Sequence, residues 1–352
     1  MSYAEFWALA DSQVESGRIP GYVGALRIGG EVDVRCGGAM AFGGPPMRED
    51  ALFRIASISK PIGGALTMLL VEDGVLALED PIARWLPEMA EPRVLVAPDA
   101  PLERTVAADR PITVRDLLAL TCGWGAIFER TPLQREMIAR EVYPGPMPPP
   151  FSGDEFVARV AGLPLAFQPG TGWLYDTGME VLGVLLARAG GKPLSALLAE
   201  RVCEPLGMAD TAFWAMDVER LTTAYTPTAD GFKLRDAADG RFARPPQFEM
   251  LGGGLVSTAG DVLRFLTGVD ELVRSLPLMT SDALDDGVRA MARPVLGTAT
   301  WGLGTAVFER GWGWDGGTGT SARRFGELAG VLLTQREMTS AQDGFEEFWA
   351  LV

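Results

Sequence analysis

The 352-residue sequence contains no histidine. That absence removes imidazole as a general base, and with it every Ser-His-Asp and Cys-His mechanism and every histidine-ligated metal. A hydrolase built on this chain must take its base from lysine, tyrosine or a carboxylate. Lysine is nearly absent too, with three residues (Lys60, Lys192 and Lys233) among 31 cations. The three cysteines, Cys36, Cys122 and Cys203, stand far apart with no CxxC pair. They are expected to be small buried apolar residues, not a disulfide framework or a zinc site. No apolar run reaches the length of about eighteen residues that a membrane helix needs, so no membrane partner is expected. The opening MSYAEFWALADSQVE lacks a basic start and an apolar stretch behind it. A cytoplasmic location is therefore the expectation.

What is present describes an ordinary globular chain, 47% hydrophobic and 22% charged. Its length suffices to bury a full core. The net charge of −15 makes an acidic surface that repels phosphate backbones, which argues against a nucleic-acid partner. Forty-three glycines and 25 prolines point to many turns rather than long helical rods.

Along the chain, residues 3–17 carry apolar positions at helical spacing. YVGALRIGG and EVDVRCGG then read as a hairpin about Gly29-Gly30. A helix is predicted behind Ser57, taken as its N-cap, with Ile62, Ala65, Leu66, Leu69 and Leu70 as an apolar stripe and Gly74 as its stop. Helices are predicted near 113–120 (entered from Thr113 with Asp116 three residues on), 153–162, 178–190, 193–203 and 258–268. The segment YPGPMPPPF at 143–151 is predicted to be a stiff loop. The tail returns to strands in WGLGTAVFE, RGWGWDGGTGT and ELAGVLLTQ, followed by a helix in SAQDGFEEFWALV. Strands at both chain ends must pair for the molecule to be compact. The simplest α/β (α+β) solution is an antiparallel sheet flanked by the terminal helices, with an inserted all-helical lobe. The expected division is one unit, with a sheet subdomain at about 1–60 and 295–352 and a helical subdomain at about 61–294.

Three places could carry chemistry. Ser57-Ile58-Ser59-Lys60 is an S-x-x-K tetrad whose spacing sets both side chains on one helical face. With 12 serines and three lysines, only about 0.1 such matches are expected by chance. The lysine can hold or receive the serine proton, and the helix N-terminus offers N–H groups to an oxyanion. Tyr175 follows the Pro169-Gly170 turn at a loop-to-helix junction, where a nearby ammonium could make its phenolate a base. Packing is the plainer reading of that tyrosine, and a helix cap the plainest reading of Asp176. The third place is Trp312-Gly313-Trp314-Asp315-Gly316-Gly317-Thr318-Gly319, where glycine density lets backbone approach a ligand. No GxGxxG or G-K-[ST] follows, which excludes a phosphate loop, and no G-x-S-x-G surrounds Ser57.

In this order and spacing the three motifs resemble the serine β-lactamase/penicillin-binding-protein superfamily, in its class C-like carboxylesterase branch. The resemblance runs over nearly the whole chain, through FRIASISKPIGGALTMLLVEDGVLALEDPIARWLPE, ITVRDLLALTCGWG and GGGLVSTAGDVLRFL. It implies a β-lactamase-like fold, Ser57 as the acylated nucleophile, Lys60 as its proton partner and Tyr175 as the base. It also implies an oxyanion hole from the Ser57 and Gly317 N–H groups, beside Trp314 and Gly316, with no cofactor and no metal. Three departures stand out. Tyr175-Asp176-Thr177 replaces Tyr-x-Asn, removing an amide that helps hold the lysine. Trp314 replaces the cation or histidine of the third motif, supplying bulk without charge, and Leu120-Thr121-Cys122-Gly123 replaces T-H-T-S-G. Hydrolysis of small carboxylic esters is thus expected over β-lactam hydrolysis. Acyl transfer, D-peptidase activity and a catalytically silent binding role are the alternatives. Mutual interaction is expected to bring either Lys60 or Tyr175 down toward neutral pKa.

Overall fold

The computed structural model describes residues 3–340 and 343–352. Strands β1 (Gly21–Ile28) and β2 (Glu31–Gly38) form the predicted hairpin at the start of the chain. Short pairs follow: β3 (Phe53–Arg54) with β8 (Val256–Ser257), β4 (Arg93–Leu95) with β5 (Thr105–Ala107), and β6 (Ala224–Thr228) with β7 (Gly231–Asp236). The tail supplies β9 (Thr300–Trp301), β10 (Ala306–Phe308), β11 (Gly311–Gly316), β12 (Thr320–Phe325) and β13 (Leu328–Thr334). The hairpin and the tail close one seven-stranded antiparallel sheet in the order β2-β1-β13-β12-β11-β10-β9. The glycine-rich stretch read as one strand is in fact β11, a turn at 317–319 and the start of β12.

Side-chain alternation divides the sheet between two cores. Tyr22, Leu26 and Leu332 face α1 (Ala4–Glu15) and the last helix, where Phe6, Trp7, Phe348 and Trp349 cover them. Val23, Ala25, Val331 and Leu333 face the main core. That core includes α2 (Ser59–Glu72), whose residues 59–70 are all buried. The expected apolar stripe is therefore too narrow a description: α2 is a central helix, packed on every side. Cys36 also departs from expectation. It is exposed because β2 is the edge strand, whereas Cys122 and Cys203 are buried.

The middle of the chain contributes α3 (Val114–Leu118), α4 (Pro132–Ala139), α5 (Gly153–Ala161), α6 (Thr177–Gly190), α7 (Leu194–Leu198) and α8 (Glu204–Leu206). The helices α9 (Ala259–Leu272), α10 (Leu276–Met279) and α11 (Asp286–Leu296) follow. Thr113 and Asp116 form a full capping box on α3, as their spacing predicts. Helix α9 leaves the helical region to pack on β1, β12 and β13. The last helix, α12 (Glu346–Trp349), is shorter than the predicted one, of which residues 341–342 lie outside the described residues. Residues 143–151 carry no helix or strand. Among the described residues no single helix is long and apolar enough to cross a membrane.

Candidate active site

Ser57 does not cap α2. It lies in a single 3-10 turn, Ala56–Ile58, and the helix proper begins at Ser59. Its hydroxyl is therefore free of a capping bond. The preceding residue, Ala56, sits at φ +44°, left-handed backbone that costs a non-glycine residue about 1–3 kcal/mol. The chain turns there to present Ser57 in the lining of a cavity of about 580 Å³. The β11–β12 turn holds that strained segment in place. Thr318 Oγ1 donates to the Arg54 carbonyl at 2.5 Å, and Thr320 Oγ1 donates to the Ile55 carbonyl at 3.0 Å. Gly316 must be glycine for the same approach, since a Cβ there would stand 2.4 Å from the Ile55 carbonyl oxygen. Gly316→Ala is expected to cost about 1–3 kcal/mol by overpacking, and to lower activity by displacing Ser57. A thermal melt alongside an ester assay checks both effects.

Lys60, one turn on, is fully buried. Its Nζ donates to Ser57 Oγ at 3.0 Å, to the Gly252 carbonyl at 2.7 Å and to Asp176 Oδ1. The missing amide of the Tyr-x-Asn motif is thus replaced by a carboxylate. Asp176 occupies the N-cap position of α6 but makes no side-chain cap bond, and its φ of +86° swings the carboxylate to the lysine instead. The expectation of a capping Asp176 is wrong for that reason.

Tyr175 is brought beside the pair. The Lys60 Nζ stands 4.5 Å from the centroid of its ring, and Trp314 Nε1 donates to its oxygen at 2.5 Å. Trp314 therefore does more than fill space: it supplies the donor that polarises the phenol oxygen. Trp301, fully buried and donating to the Leu118 carbonyl at 3.0 Å, packs edge-on against both Tyr175 and Trp314. Trp173 also stacks near Tyr175, while Trp124 and Trp312 pack in the core.

The electrostatics correct one expectation. Burial disfavours the Lys60 charge, but Asp176, Tyr175 and Glu180 outweigh it, so the ammonium holds its proton more tightly than a free lysine. Burial likewise raises the Tyr175 pKa, opposed by Lys60 and by hydrogen bonds from Ser57 and Trp314. Neither site is brought down toward neutrality: burial first, and then the Asp176 carboxylate, raise Tyr175, and Asp176 leads the groups that raise Lys60.

The cavity is walled by Val295, Leu296, Ala299, Phe308, Trp314 and Met338, and Gly317 lines it together with Ser57. It also contains a cation that motif reading missed. Arg323 on β12 is 3% exposed, stacks 4.2 Å over Phe308, and shares its Nη2 between Asp315 (3.0 Å) and Glu346 (2.6 Å). Two carboxylates around one guanidinium leave this wall with a net negative charge. Among the described residues no group of three or more His, Cys, Asp or Glu could hold a metal ion.

A beta-lactamase family profile matches residues 6–348. The chain belongs to the beta-lactamase family. Esterase EstB of Burkholderia gladioli is similar at 32% identity, covering 92% of this chain and 79% of that one. Protein Rv1367c of Mycobacterium tuberculosis is 38% identical over 71% of this chain, which spans only 59% of that protein's length. Two solved structures share the beta-lactamase-like fold. EstCE1, a hydrolase with promiscuous acyltransferase activity, has a TM-score of 0.78 at 23% identity, covering 99% of this chain and 96% of that one. Unliganded simvastatin synthase from Aspergillus terreus has a TM-score of 0.75 at 22% identity, covering 95% of this chain and 92% of that one.

Proposed function

We propose that this member of the beta-lactamase family is a serine hydrolase that cleaves small carboxylic esters through an acyl-Ser57 intermediate. The observation that carries the reading is the convergence of Ser57, Lys60 and Tyr175, with Ser57 and Tyr175 lining one largely apolar cavity and Lys60 buried behind them. Similarity to Esterase EstB supports the same chemistry.

In this reading the Tyr175 oxygen takes the Ser57 proton as Ser57 Oγ attacks the ester carbonyl. The Lys60 ammonium, held by Asp176 and the Gly252 carbonyl, stabilises both the attacking oxygen and the phenolate. The backbone N–H groups of Ser57 and Gly317 receive the oxyanion. Tyr175 then returns the proton to the leaving alcohol, and water attacks the acyl-enzyme by the reverse path. An alcohol in place of water would give acyl transfer. A cavity of this size leaves room for one beside a short acyl chain.

Charge sets the selectivity. A β-lactam brings an anionic carboxylate, Trp314 offers it no cation, and Arg323 is already engaged by Asp315 and Glu346. A charge-assisted hydrogen bond is worth about 1.5–3 kcal/mol, so its loss corresponds to about 10- to 150-fold in rate. Purified protein should therefore turn over p-nitrophenyl acetate at least about tenfold more efficiently than nitrocefin by kcat/KM. Comparable efficiencies would overturn the ester assignment.

A further inference from the structure

Glu180 is a buried carboxyl with no part in the mechanism above. It is 3% exposed, and neither of its oxygens has a hydrogen-bond partner. It lies in the first turn of α6, just behind Asp176 at the N-cap, and both acids act on Lys60 of α2. Gly252, whose carbonyl accepts from Lys60, passes directly over it: a Cβ at Gly252 would stand 2.7 Å from Glu180 Oε1. The charged groups acting on Glu180 are Asp176 from its own helix and Lys60 from α2. The Leu251 and Gly252 amides face it and favour its charged form, but neither closes a well-formed hydrogen bond to a Glu180 oxygen.

An unbonded buried carboxylate is costly, whereas a neutral acid in the same place is tolerated. We propose that Glu180 is a positioning residue for the Ser57–Lys60–Tyr175 group, neutral in the active state, whose ionisation adds a second anion beside Lys60 and opposes formation of the Tyr175 phenolate. The proposal rests on the esterase reading for its catalytic consequence, though not for its charge state. Burial first, and then the Asp176 charge, push this carboxyl up to about 8. Catalysis that rises with pH through Tyr175 should therefore meet a ceiling as Glu180 ionises.

Three measurements test this on the intact chain. In the infrared pH-difference spectrum, a protonated carboxylic C=O band should persist at pH 6, disappear by about pH 10, and be absent from Glu180→Gln. Thermal melting gives the second readout. Between the unfolded pKa of about 4.5 and the folded value of about 8, the native state keeps a proton that the unfolded chain has released. Stability from this group is complete below the lower value and is lost as pH rises, so the fall in Tm from pH 5 to 8 should be shallower in Glu180→Gln. Third, the ratio of kcat/KM at pH 9 to that at pH 7 should be at least about threefold larger in Glu180→Gln than in wild type. Absence of any protonated carboxyl band at pH 6 from the wild-type spectrum, or its persistence in Glu180→Gln, overturns the proposal, and so does an unchanged kcat/KM ratio. Should Glu180→Gln not fold, the wild-type spectrum decides alone. Loss of the ester assignment would appear separately, as no turnover in either protein, with the spectrum still deciding the charge state.

Discussion

Ser57→Ala is expected to reduce ester hydrolysis to background, a fall in kcat on the order of a millionfold when a serine nucleophile is removed. The size of the effect follows from the site having one candidate attacking oxygen joined to a base. Ser57 Oγ accepts from Lys60 at 3.0 Å and shares its cavity with the Tyr175 phenol, close enough to lower the phenol's pKa. Other serines are differently engaged. Ser257 is buried against Thr211, and Ser321 donates to Asp315 while accepting from Trp349. Ser340 lines the same cavity, but the Lys60 ammonium donates to Ser57, Asp176 and the Gly252 carbonyl and not to Ser340. The substitution removes one oxygen from a partly buried position, so the fold should survive. Unchanged circular dichroism with no turnover is the expected pairing. Retention of more than about one hundredth of wild-type kcat would exclude Ser57.

Tyr175→Phe is expected to lower kcat by about a hundred- to ten-thousandfold, the range of a positioned general base, with KM less affected. The phenylalanine ring can keep the contacts with Trp173, Trp301 and Trp314. It loses the oxygen that accepts from Trp314 Nε1. The pH dependence distinguishes the base from a packing residue. Because burial holds the Tyr175 pKa above that of a free phenol, the phenolate fraction grows up to tenfold per pH unit above neutrality. Wild-type kcat/KM should therefore rise from pH 7 toward the alkaline side, its slope reduced where Glu180 ionises. The residual activity of Tyr175→Phe should lose that rise. A variant with near wild-type turnover would show that Lys60 passes the proton by another route, for which Asp176 is the acceptor in place.

Much of this site could be read in the sequence, because its signals are local. The S-x-x-K spacing, the scarcity of lysine, the Pro-Gly turn before Tyr175 and the glycine-rich stretch each lie within a few residues. The β1–β2 hairpin and the Thr113 capping box are local in the same way. What escaped depends on contacts across the chain. Nothing near Asp176 in sequence shows that its backbone adopts a positive φ and turns the carboxylate to Lys60, 116 positions away. Arg323 enters the cavity only because β12 pairs with β11, a strand hidden inside what looks like one glycine-rich run. Glu180 did leave a local mark: an acid among Gly178, Met179, Val181 and Leu182, all buried, interrupts an otherwise apolar helix. An acidic residue four positions after Asp176 on such a helix identifies a buried pair of acids, and Lys60 is the buried cation that answers them.

The central claim is that one serine carries the acyl group, and covalent capture tests it most directly. A p-nitrophenyl phosphonate ester offers a tetrahedral phosphorus that Ser57 Oγ attacks with loss of p-nitrophenolate, leaving a stable phosphonyl-enzyme. Intact mass should rise by one phosphonyl group per chain, peptide mapping should place it on Ser57, and Ser57→Ala should take up none. A label on Ser340, Ser257 or Ser321, or equal labelling of Ser57→Ala, would contradict the account.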